Sequence, residues 1–104
     1  MKYLIAIVLS LFVLKAYALT PETFVDNVSI IVKEQEKSHK YFSIVKNEPL
    51  KSHYACQASK DVVYFVKYVY SNRQYLYLIK DPLMDYMYFS LRMYKPYLNK
   101  KCKL

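Results

Sequence analysis

From residue 62 to residue 70 the chain reads Val-Val-Tyr-Phe-Val-Lys-Tyr-Val-Tyr, β-branched or aromatic throughout except for Lys67. Residues of this kind favour strands, and a strand sends successive side chains to opposite faces. Tyr64, Val66, Tyr68 and Tyr70 then share one face. Val63, Phe65, Lys67 and Val69 share the other, which the lysine marks as the wetter. Reading the period of two outward gives expected strands at 41–46, 50–56, 62–70, 75–80 and 86–95. The connections between them, 47–49, 57–61, 71–74 and 81–85, are polar or carry proline. Pro49 has no N–H for a ladder, so the first two segments read as one strand broken by a bulge or edge kink.

Before residue 41 the period is that of a helix. Thr20-Pro21-Glu22 supplies a hydroxyl N-cap, a proline at the first helical position and an acid in the first turn. Phe24, Val25, Val28, Ile31, Val32 and Gln35 follow as one stripe, predicting a helix of about 18 residues. Lys37, His39 and Lys40 suit its C-terminal end. Short connections favour an antiparallel meander. The expected fold is therefore α+β: one N-terminal amphipathic helix packed across a four- to five-stranded antiparallel sheet.

The start of the chain changes what counts as the working protein. Lys2, an apolar run from Tyr3 to Leu14 and the small-x-small triplet Ala16-Tyr17-Ala18 read as an export leader over 1–18. The apolar run is too short to span a bilayer, which needs about 20 residues. A secreted, monomeric domain over 19–104 is expected. Its net charge, +8 for the whole chain less Lys2 and Lys15, is +6. In sequence that excess is spread out, apart from Lys100-Lys101-Cys102-Lys103. Solvated surface or attraction to acidic partners and anionic membranes both fit it.

Two cysteines remain, Cys56 and Cys102. In an exported chain an even pair suggests one disulfide, which would add up to about 4 kcal/mol by loop-closure entropy. Two free thiols and a bridge between chains are the alternatives. Glycine is absent, so the glycine turns that close tight hairpins are not open to this chain. There are 13 tyrosines in all, whose rings can fill a core while the hydroxyls reach its rim.

No catalytic constellation is evident. His39 and His53 lack neighbours at metal-ligand spacing, so no metal and no cofactor are implied. His53 and Cys56 would point to opposite faces of a strand. Asn27-Val28-Ser29 is an N-glycosylation sequon. Alternating Tyr and Lys imitate a base-stacking sheet, but secretion argues against a nucleic-acid partner.

The order helix, broken strand, loop, hairpin, loop, strand resembles the cystatin family of papain-like cysteine protease inhibitors. Gln57, followed seven residues on by Tyr64-Phe65-Val66-Lys67-Tyr68-Val69, is similar to that family's Gln-x-Val-x-Gly loop and following strand. Pro82-Leu83 echoes its second loop. The resemblance implies an inhibitor that wedges one apolar edge into a protease cleft. That edge would comprise Leu19 and Thr20, the first loop Gln57, Ala58, Ser59, Lys60 and Asp61, and Pro82 with Leu83. The family's valine and glycine are Ser59 and Asp61 here, and the trunk glycine is missing. On the same layout the tail from Pro96 to Cys102, with a reach of about 23 Å, is long enough to run back and pair with Cys56. The alternatives are a cystatin-fold binding module without inhibition, or a cationic secreted protein acting on membranes or acidic surfaces.

Overall fold

A computed structural model describes residues 19–104, and the expected leader lies outside them. Among the described residues there is no strand. The described residues form three α-helices, α1 over Pro21–Ile44, α2 over Glu48–Ser71 and α3 over Asp81–Tyr94. Short 3₁₀ segments occupy Arg73–Leu78 and Lys95–Tyr97. The α+β expectation is therefore overturned: 62–70 and 50–56 belong to one continuous helix, and 86–95 is chiefly α3.

All four prolines stand in the first turn of a helical segment. Pro21, Pro49, Pro82 and Pro96 open α1, α2, α3 and the last 3₁₀ segment respectively, where a missing N–H costs nothing. Asn47-Glu48-Pro49 repeats the logic of Thr20-Pro21-Glu22: Thr20 Oγ1 accepts from Thr23 N at 3.1 Å, and Asn47 Oδ1 accepts from Leu50 N at 3.4 Å. Pro49 is thus a helix start, and not a kink in an edge strand.

The helix ends are closed without glycine. No described residue has positive φ. Val45 leaves α1 in an extended conformation, its N–H donating to Tyr41 O. At the end of α2 the Asn72 N–H is shared between Tyr68 O and Val69 O, and its side-chain amide donates to Tyr68 O at 2.9 Å. A chain without glycine suits helices joined by extended residues far better than a run of three hairpins.

The expected stripe on α1 holds in part. Val25 is 45% exposed and Val32 is half-buried, but Phe24, Val28, Ile31 and Gln35 are buried. Their partners on α2 are Val62, Phe65, Tyr68 and Val69, with Met87 added from α3. Within α2 the decisive contrast is Phe65 and Val69 at 0% exposure against an exposed Lys67. Strand alternation groups those three; helical spacing puts 65 and 69 together and turns 67 away. Asn27 pairs with Tyr68 and Ser38 with Asp61, so α1 and α2 run antiparallel. Tyr70 meets Tyr88, and Gln35 meets Tyr94, which sets α3 antiparallel to α2. A second, smaller cluster of Phe42, Ala55, Ala58 and Tyr94 closes the other end.

This register makes a sharp prediction. Phe65→Ala should cost about 3–5 kcal/mol in denaturant unfolding, whereas Lys67→Ala should stay within about 0.5 kcal/mol. Comparable effects at the two positions would contradict the helix.

Candidate functional site

The residues expected to form one inhibitory edge do not meet. Residues 57–61 lie inside α2, with Ala58 and Ser59 fully buried. Leu19 and Leu83 both pack against the larger core cluster, at the end of the bundle where Tyr75 donates to Leu19 O at 2.9 Å. Thr20 caps α1, and Pro82 is exposed in the first turn of α3. The helical rise sets Gln57 about 16 Å along the axis from Tyr68, which stacks on Phe24 at that end. No common rim joins the two sets.

What the structure does gather is positive charge. Between Leu19 and Asn47 four basic residues balance four acidic ones, so the whole excess of +6 lies from Glu48 onward. After Asp85 no acidic side chain occurs at all. Cys56 and Cys102 are joined in a disulfide. The joined Cα atoms are 5.7 Å apart. The tail does run back: Ser52 Oγ donates to Tyr97 O at its beginning, and Leu104 reaches α2 at its end. Lys100, Lys101 and Lys103 are thereby folded over the side of α2 that carries Lys60 and Lys67.

Lys60, Val63, Tyr64 and Lys67 follow i, i+3, i+4, i+7 spacing and, with Leu104, line a shallow open depression of about 180 Å³. No carboxylate side chain lines it. Asp61, the nearest acid on α2, turns toward α1, where Ser38 Oγ donates to Oδ2 at 3.1 Å. Burial and the neighbouring Tyr68 push the Tyr64 phenol above its ordinary range, so at neutral pH it is an uncharged donor. The arrangement presents lysines around an apolar floor. Lys60 belonged to the expected edge, but Val63, Tyr64, Lys67 and Leu104 did not. For Val63, Tyr64 and Lys67 the helical spacing was the signal, hidden by the alternation read in the same residues.

Between the two apolar clusters lies a polar layer of Gln35, Ser38, Ser59, Asp61 and Ser90. Tyr94 bridges it to the second cluster. Its hydroxyl accepts from Gln35 Nε2 at 3.0 Å and lies 2.6 Å from His39 Nδ1. Burial raises its pKa well above the usual phenol value, so the hydroxyl stays protonated at neutral pH. His53 and Cys56 now share a helix face, against the strand-based reading, but the Cys56 thiol is committed to the disulfide. Asn27 is 2% exposed and donates through Nδ2 to Tyr68 OH at 2.7 Å. A glycan on that nitrogen and this packing exclude each other.

Among the described residues no group of three or more His, Cys, Asp or Glu is placed to hold a metal, and no helix is long and apolar enough to cross a membrane. Comparison with protein-family models, with curated proteins and with solved structures finds no match.

Asp61 yields a pH test. Burial, partly offset by Ser38 and reinforced by Glu34, raises its carboxyl from 3.8 to about 6. The folded value exceeds the unfolded one, so the charged form weakens the fold. Stability from this group is full below pH about 4 and is lost as pH rises through about 6, on the order of 2 kcal/mol for a partly exposed group. Asp61→Asn, which still accepts from Ser38, should stabilise the protein at pH 7 and flatten its stability profile between pH 4 and 7. Urea midpoints measured across that range check it.

Proposed function

We propose that the protein is an exported, non-enzymatic binder of polyanionic surfaces. It engages phosphate, sulfate or carboxylate groups through Lys60, Lys67, Lys100, Lys101 and Lys103. The observation that carries this reading is the return of the tail over α2, which turns two sequence-distant sets of lysines into one acid-poor face. The disulfide itself suits an oxidising, extracytoplasmic compartment. Protease occlusion has lost its vehicle, because an apolar loop edge cannot be made from a helix whose Ala58 and Ser59 are buried.

Each lysine near an anionic surface contributes about 1 kcal/mol at physiological salt. Five amount to about 5 kcal/mol, a dissociation constant of a few tenths of a millimolar. Charge alone therefore makes a weak, salt-sensitive contact.

The oxidised protein should bind vesicles containing phosphatidylglycerol, and a sulfated polysaccharide, at about 50 mM salt, and release both at about 500 mM. Lys60→Glu with Lys67→Glu should lower both affinities by at least about tenfold. The same charge change at Lys33 and Lys40 on α1 should do markedly less. Equal losses from the two double variants, or equal binding to neutral vesicles, would count against the lysine face.

A further inference from the structure

Lys67 has exposed Tyr70 as its neighbour one turn along α2. The Tyr70 and Tyr88 hydroxyls lie 3.4 Å apart, carrying the basic face onto α3. There Tyr88 is 39% exposed and Phe89 58%. Arg92 is exposed one turn beyond them, and exposed Asp85 one turn before. A strip of lysine, two phenols, a bare phenyl ring and an arginine thus runs continuously across two helices.

We infer that this strip is a membrane-interface contact, with Phe89 entering the edge of the acyl region of an anionic phospholipid bilayer. The inference rests on the polyanion-binding reading and narrows its partner to a lipid surface. The chemistry of the strip favours that partner over a soluble polyanion. A sulfated polysaccharide offers charge to the lysines but nothing to an exposed phenyl ring. A bilayer supplies headgroup phosphates for Lys67 and Arg92, a polar boundary for the two tyrosine hydroxyls, and hydrocarbon for Phe89. Asp85 keeps the contact shallow, because α3 cannot sink further without carrying that carboxylate below the headgroups. The aromatic contact also supplies the binding energy that five lysines at physiological salt leave wanting.

The chain contains no tryptophan, so Phe89→Trp gives a single reporter. On vesicles of phosphatidylglycerol and phosphatidylcholine its emission should shift to the blue and be quenched by lipids brominated in the acyl chain. On the sulfated polysaccharide it should not shift. Phe89→Ser, which removes the ring without changing charge, should lower vesicle affinity by about tenfold and leave polysaccharide affinity unchanged. Because Phe89 is exposed, both variants should retain the helical circular dichroism of the parent. Unshifted indole emission from vesicle-bound Phe89→Trp protein, or vesicle binding by Phe89→Ser equal to the parent, would overturn the lipid contact while leaving polyanion binding in place. Failure of the parent to bind either anionic surface would remove both readings.

Discussion

The antiparallel seam between α1 and α2 is the constraint on which the rest depends. Phe24, Val28 and Ile31 of the first helix and Val62, Phe65 and Val69 of the second bury their surface against one another in a single cluster. Once they are opposed, Asn27 faces Tyr68 and Ser38 faces Asp61. The short α3 then closes the groove with Met87 and Tyr94. The outer side of α2, which carries Cys56, Lys60 and Lys67, is left for the tail. A slipped register would strand Asn27 without the Tyr68 phenol that accepts from it and part Ser38 from Asp61, at a cost of about 1–3 kcal/mol for each buried group. The polar layer thus helps to fix which turn of one helix meets which turn of the other.

Some of this was legible in the residues. The Thr20 cap, the α1 stripe apart from Val25, and the disulfide, whose tail doubles back, appear in the structure. The sheet does not, and the reason is physical. Tyr, Val and Phe carry strand propensity, yet propensity is a weak prior that packing overrides. In a segment where nearly every residue is apolar, alternation and helical periodicity fit equally well, and length must arbitrate. From Glu48 to Ser71 nothing stops a helix: no glycine, no internal proline, and a seven-residue repeat of Ala55, Val62 and Val69. Two further signals pointed the same way. Asn47-Glu48-Pro49 and Lys80-Asp81-Pro82 have the composition of helix starts, and a glycine-free chain is poorly equipped for successive hairpins.

The basic face was harder to see, because it does not exist in the linear order. Lys60 and Lys67 share a face only on a helix, and the tail lysines join them only through the bond between Cys56 and Cys102. That bond ties the C-terminal segment to the fold and also sets where its charge is displayed. The cystatin likeness implied a sheet, and among the described residues there is none. It rested on spacing after Gln57, and the same spacing serves a helix that hides Ala58 and Ser59.

The most direct test of the fold that supports these readings is an NMR study of the oxidised protein. Helical Cα shifts unbroken from Glu48 to Ser71, with cross-peaks from the Asn27 side-chain amide to the Tyr68 ring, are the expected result. Extended shifts over 62–70, with cross-strand Hα contacts to 75–80, would contradict the helical seam and the basic face built on it.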